Sequence, residues 1–180
     1  KRIKSLVFST DVAVIANCNA DAVIAVYPFT PTIQITEAII SVAQRPVFVG
    51  VGGGTTAGKR VESIALDAEL HGATAVVLNA PTTTEFVQNL ANDIDIPVVL
   101  TIVSLNEDLE KRMLHTKANI INVSGGKDID PNFPIIATGG PTEETVREVI
   151  QAGANAVTFT PPTNGEIFKG MMEEYRHRYD

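Results

Sequence analysis

The chain holds one cysteine, Cys18. A lone thiol excludes an internal disulfide and any zinc site built from several cysteines, and it fits a reducing, cytoplasmic setting. Basic residues are in short supply: 14 Lys plus Arg stand against 21 Asp plus Glu, a net charge of −7 and a pI near 4.9. That balance argues against a nucleic-acid partner, which needs a basic face. Long apolar runs are missing too. The longest, Ala22–Tyr27, falls far below the roughly 20 residues a membrane helix requires, so no membrane partner is expected. Lys1, Arg2 and Lys4 precede an apolar stretch, but Ser9, Thr10 and Asp11 interrupt it, against a signal peptide. No HxxE, HExxH or acidic cluster has metal-ligand spacing. We therefore expect no resident metal and no cofactor; a magnesium ion bridged by a substrate phosphate stays open. His71, His115 and His177 fall at helix ends and read as surface or capping groups.

What remains is aliphatic and repetitive. The chain has 180 residues, 44% hydrophobic, with mean hydropathy +0.14. That suits one domain spanning residues 1–180, with a core that needs no cross-link. Segments starting at Ala20, Ala73 and Ala154 read Ala-x-Ala-Val and reach a proline eight positions on; Ala118–Ser124 is a weaker fourth copy. A second pattern starts at Pro46, Pro97 and Pro134. These short β-branched runs, bounded by Pro or Gly, read as buried strands, and Leu6–Phe8 adds an eighth. Stretches of helical period lie between them at Glu37–Gln44, Val61–Leu70, Glu85–Ala91, Glu107–Leu114, Glu143–Gln151 and Gly165–Arg178. Thr36, Thr84, Asn106 and Thr142 precede acids and read as helix caps.

Alternating strands and helices with near-continuous apolar strands predict a parallel sheet covered by helices. Eight such units predict a compact α/β fold, the (β/α)8 TIM barrel. The interval from Ser124 to Pro134 is short for a crossover, which takes a dozen or more residues. The unit after the sixth strand is therefore expected to be abbreviated or incomplete near Gly126–Asp128. An open doubly wound sheet is the alternative, but it gives no reason for a two-strand period.

Barrel chemistry gathers at the carboxyl ends of strands. Alternation along the repeats points Asn79, Thr101, Asn122, Ser124, Thr138, Thr158 and Thr160 into that mouth. Glycine-rich turns follow three strands: Gly50–Thr56, Ser124–Lys127 and Thr138–Pro141. Glycines let backbone N–H groups approach a ligand, and a following helix N-terminus adds partial positive charge. We expect an anion site built from Gly52, Gly53, Gly54, Lys59, Ser124, Gly125, Gly126, Thr138, Gly139, Gly140 and Thr160; tight turning alone is the competing reading. Gly53–Lys59 matches GxxxxGK, but Arg60 stands where a P-loop carries Ser or Thr to hold magnesium, which argues against nucleotide hydrolysis. Lys127 reads as a charge anchor or amine nucleophile, Glu166 as an acid/base group, and Asn79 and Asn122 as neutral donors to a reacting oxygen. Against these stand a solvated loop lysine and a first-turn helix acid. Asp11 reads as a helix cap, Cys18 as core or helix end, and Tyr27 as core or as a ring stacked on a ligand.

From Pro134 to Val157 the chain resembles the last two units of the ribulose-phosphate-binding barrels, part of the aldolase-type TIM-barrel group. The resemblance implies phosphate binding by the backbone of Gly139 and Gly140. The turn after the last strand departs from that pattern, since Pro161 and Pro162 lack N–H donors. Over its whole length the chain is similar to a group of Gram-positive bacterial barrel proteins that carry a hydrolase label. The similarity rests on Val26–Pro31, Gly50–Thr56, Asn122–Lys127 and Thr160–Glu166. The short barrel and the C-terminal half also resemble the glycerol-3-phosphate-responsive antiterminators, which are sensors. The function expected is that of a barrel enzyme on a small anionic metabolite, phosphorylated or carboxylated, of isomerase, epimerase or lyase type. A hydrolase and a non-catalytic phosphometabolite sensor are the alternatives, and assembly into a homo-oligomer is left open.

Overall fold

The repeated β-branched segments form eight strands: β1 (Lys4–Phe8), β2 (Ala22–Ala25), β3 (Val47–Gly52), β4 (Ala75–Leu78), β5 (Val98–Val103), β6 (Ile120–Ser124), β7 (Ile135–Thr138) and β8 (Ala156–Phe159). The computed structural model describes residues 3–103, 112, 115–124, 133–139 and 142–179. Every strand pairs in parallel with its sequence neighbours, and β8 returns to β1 to close the barrel. The open-sheet alternative is thereby excluded. Between β6 and β7 the register is direct, with Ile121 opposite Ile135 and Val123 opposite Ala137. The shortened unit expected at Gly126–Asp128, and most of the helix expected at Glu107–Leu114, lie outside the described residues.

Side chains alternate across the ring as the repeats require. Leu6, Ala22, Ile24, Val77, Val99 and Ile136 form one buried cluster, the barrel interior. Val23, Ala25, Val49, Leu78, Leu100 and Val123 belong to another, packed outward under helical residues such as Ile39, Val61 and Leu90. Each fully buried aliphatic side chain contributes about 1.5–3 kcal/mol relative to exposure, so these two layers hold the ring.

Six helices are seen among the described residues: α1 (Val12–Asn17), α2 (Ile33–Val42), α3 (Lys59–Leu70), α4 (Thr84–Asp93), α5 (Glu143–Gln151) and α6 (Asn164–Tyr179). Asp11 caps α1, its Oδ1 accepting from the Ala13 and Val14 amides, and the Thr142 hydroxyl oxygen caps α5 by accepting from Thr145 N–H. Two expected caps move. α2 starts four residues before Glu37, because Thr36 is a buried core residue whose hydroxyl meets Tyr27 Oη at 2.9 Å. The cap of α4 is Thr83 rather than Thr84; the Thr83 hydroxyl oxygen accepts from Phe86 N–H. No described helix is long and apolar enough to cross a membrane.

α6 departs from the pattern of the other helices. It carries no buried residue, and every position from Gly165 to Tyr179 is exposed. Its start is fastened at two points. Asn164 Nδ2 donates to Asp11 Oδ1 at 3.0 Å, and Glu166 and Thr163 cap each other through backbone and side chain.

Candidate functional site

Among the described residues, hollows open at both ends of the barrel. The one at the amino ends is about 340 Å³, lined by Leu6, Ala22, Phe48, Ile120 and Ile136 among others, and offers almost no polar surface. The other, about 290 Å³, lies at the carboxyl ends of β2, β3 and β4. Barrel chemistry belongs to the carboxyl face, and this second cleft carries polar groups for it; a smaller hollow of about 200 Å³, lined by Gly53, Gly58, Thr82 and Thr83 among others, adjoins it.

The cleft is made where the sequence is richest in glycine. Gly50 sits tightly in β3, where an added Cβ would lie 3.1 Å from Val26 Cα and require that strand to give by a few tenths of an ångström. The β3–β4 register then shifts between Gly50 and Gly52, and the chain turns through positive φ at Gly52 (122°) and Gly53 (95°). The turn closes with Gly53 N–H donating to Thr56 O at 2.8 Å and Asn79 N–H donating to Gly52 O at 2.9 Å. Thr82 Oγ1 donates to Gly53 O, and Arg112 donates to the carbonyls of Ala80 and Thr82, fixing the neighbouring turn. Tyr27, Phe29 and Pro31 form the opposite wall, the two rings stacked at 5.3 Å. Burial pushes the Tyr27 hydroxyl pKa up, and its hydrogen bond to Thr36 opposes that shift only in part. Gly52, Gly54, Thr55, Thr56 and Asn79 line it too, with Pro28 and Pro81, and among the described residues no charged side chain takes part.

The polar residues of the barrel mouth stand apart in a second group. Asn122 is 8% exposed, and its Nδ2 donates to Thr101 Oγ1 on β5 at 3.3 Å. Its Oδ1 is buried and meets no donor among the described residues. Thr158 is buried beside its register partner Thr138, which is exposed at the rim; Ser124 is half-buried and Thr160 exposed. Among the described residues no cluster of His, Cys, Asp or Glu could hold a metal ion.

The remaining expected site residues fall in several places. Lys59 is exposed in the first turn of α3 and does not line the cleft. Gly139 is buried, and an added Cβ would lie 2.5 Å from Val157 Cγ1 and 2.9 Å from Val146 Cγ2. Close packing therefore accounts for this glycine, and its N–H is already donated to Thr158 O at 3.2 Å. Glu166 sits in a capping box: Thr163 N–H and Oγ1 both donate to its Oε2 at 2.8 Å. Those bonds, the backbone one foremost, hold its carboxyl below the usual range. Gly125, Gly126, Lys127 and Gly140 lie outside the described residues. Composition gave no weight to Phe29, Pro31, Thr55 and Thr56, though Val26–Pro31 and Gly50–Thr56 stood out as motifs.

No family model matches the chain, and no curated protein matches it in sequence. Solved structures do match in shape. A phosphonopyruvate hydrolase, in complex with oxalate and magnesium, superposes with a TM-score of 0.69 at 13% identity over 98% of this chain and 80% of its own. N-(5′-phosphoribosyl)anthranilate isomerase from Pyrococcus furiosus gives 0.66 at 16% identity, covering 88% of both chains. The 4-hydroxy-tetrahydrodipicolinate synthase of the thermoacidophilic methanotroph Methylacidiphilum fumariolicum SolV gives 0.66 at 15%, covering 89% and 68%. At these identities the likeness establishes the fold. The chain is a TIM barrel.

Proposed function

We propose that the protein is an enzyme of small-metabolite chemistry that binds an anionic substrate, phosphorylated or carboxylated, at the carboxyl rim of the barrel. The observation carrying this reading is the cleft of Gly50–Thr56, Tyr27 and Asn79, bounded by backbone and neutral side chains with no carboxylate among the described residues of its lining. In a chain of net charge −7, such a surface tolerates an anion where most of the exterior repels one. Gly54 is exposed, and no protein acceptor meets its N–H among the described residues. That makes this amide the first donor available to a carboxylate or phosphate oxygen. Asn79 Nδ2 lies beside it; a Cβ on Gly54 would stand 3.3 Å away.

The chemistry we assign is of isomerase or lyase type. Asn122 would accept a hydrogen bond from a substrate hydroxyl or a water at Oδ1, and Ser124, Gly125 and Gly126 would serve as further anion contacts. Lys127 would supply the positive charge, or the amine that moves a proton. Glu166 is already committed as a cap, so we give it no proton-transfer role. Gly140 and Thr160 would add contacts to the anion. The solved neighbours lend general support, since one holds oxalate and another is named for a phosphoribosyl compound. A panel of phosphosugars and small carboxylates, scored for both thermal stabilisation and turnover, tests the reading. Turnover of any member supports an enzyme, and stabilisation without turnover supports the sensor alternative. A panel that produces neither overturns the anion site. With a substrate in hand, Lys127→Ala should lower turnover at least tenfold, about 1.4 kcal/mol of barrier.

A further inference from the structure

Ile120 packs against the interior cluster, so Asn122, two residues further along β6, faces the same lumen. Its side chain sits among the most buried polar groups of the barrel, yet Oδ1 has no donor among the described residues, while Nδ2 donates to Thr101 Oγ1 at 3.3 Å. That bond occupies one lone pair of the Thr101 oxygen and leaves the threonine proton without an acceptor among the described residues. An acceptor and a donor therefore stand side by side. An alcohol satisfies both at once, giving its proton to Oδ1 and taking the threonine proton on its oxygen. A ketone oxygen answers only the threonine and meets Oδ1 as a second acceptor. An ammonium group would be a buried cation beside two neutral side chains, a costly arrangement.

The strand register joins this pair to the rim cleft. Leu78 pairs with Leu100, so Asn79 and Thr101 follow at one level, and Thr101 pairs directly with Asn122. Val77 and Val99 belong to the interior cluster, which turns Asn79 and Thr101 inward as well. Asn79 lines the cleft beside Gly54. Neighbouring strands lie about 4.8 Å apart, so the backbones of Asn79 and Asn122 are roughly 10 Å apart along the wall. One small molecule can reach from the Gly54 amide to Oδ1.

We infer that Asn122 and Thr101 determine specificity by reading an alcohol. The substrate is a hydroxy anion, with its charged group at Gly54 and Asn79 and a hydroxyl-bearing carbon a short chain away, at Oδ1 and the Thr101 hydroxyl. For the charged end this rests on the anion cleft proposed above; the alcohol site rests on the unpartnered atom and its neighbour.

Matched anions that differ at one carbon test it: 3-phosphoglycerate against 3-phosphohydroxypyruvate, and 3-hydroxybutyrate against acetoacetate. In titration calorimetry the hydroxy member of a pair should bind at least ~10-fold more tightly than the keto member. Thr101→Val keeps the shape of the side chain, removes the proton given to the alcohol and releases the Asn122 amide to turn. The preference should then fall to about twofold or less. Equal binding of the two members, or a preference for the keto member, overturns the inference and leaves the anion cleft intact. A preference that survives in Thr101→Val overturns it too. If neither pair binds, the anion cleft fails, and neutral erythritol decides the alcohol site by itself. It should shift the side-chain amide signals of Asn122 saturably in NMR spectra of the wild type and leave them unmoved in Thr101→Val. Wild-type signals indifferent to erythritol would then overturn the alcohol site as well.

Discussion

Replacing Asn122 by Leu should make the empty protein more stable and end its response to ligand. Leu keeps the branch at Cγ and nearly the same shape while removing both polar atoms. In the wild type Oδ1 is buried without a donor, and an orphaned polar group costs about 1–3 kcal/mol. The substitution also removes the bond from Nδ2 to Thr101 Oγ1. At 3.3 Å that bond is long, and it sits at the low end of the ~0.5–1.5 kcal/mol typical of such interactions. Thr101 is only half-buried, so its hydroxyl keeps access to water. The balance is a gain of about 1 kcal/mol, or roughly 2–4 °C in Tm for a chain of this size. Calorimetry of the two proteins without ligand measures it. The same samples, titrated with whichever compound stabilises the wild type, should show no shift in Asn122→Leu. A variant less stable than wild type by 1 kcal/mol or more would refute the claim that Oδ1 is held unsatisfied for a ligand. So would one whose ligand-induced shift is unchanged.

Gly53→Ala should cost about 2 kcal/mol in urea unfolding, because its φ of 95° is strained for alanine and the new methyl would lie 2.0 Å from Thr82 Oγ1. Gly58→Ala, also at positive φ but with open space around it, should cost less, and equal losses would contradict the steric account. The raised pKa of Tyr27 means that the unfolded chain ionises this group first, so stability should fall as pH rises past about 10. Tyr27→Phe should remove that part of the alkaline loss and cost about 1–2 kcal/mol at neutral pH by stranding the buried Thr36 hydroxyl. Glu166 titrates in the opposite sense. Its lowered pKa strengthens the start of α6 above about pH 4.5, and that support should vanish as pH falls through the folded value. Amide protection factors at the start of α6, taken relative to intrinsic exchange at each pH, should follow this course in wild type and be flat with pH in Glu166→Ala.

The ring of strands was legible because buried parallel strands leave a strong trace: β-branched runs, a proline at the start, and a two-residue alternation. Ile24 and Val77 inside, with Ala25 and Leu78 outside, follow from that alternation alone. Helix starts were less legible, since a threonine before an acid looks alike whether it caps a helix or, like Thr36, bonds a tyrosine in the core. Glycine was the most ambiguous signal. Gly53 is required by a turn at the cleft and Gly139 by two valine side chains, and nothing local distinguishes them in the sequence. The exposure of α6 was invisible for a related reason. Its stripe of Phe168, Met171 and Tyr175 reads like that of any covering helix, and only the exposure of these side chains in the fold shows otherwise.

Closure of the ring through β1 and β8 joins Lys4 to Ala156 and Val7 to Phe159. During synthesis the first strand must therefore wait for the last. At about 5–20 residues per second the interval is on the order of 10–30 s, and one edge of β1 goes unpaired throughout. That exposed edge is open to pairing with other nascent chains. Truncation before β8 should therefore produce aggregates rather than a smaller soluble barrel, whereas a permuted chain opened at a rim loop should still assemble.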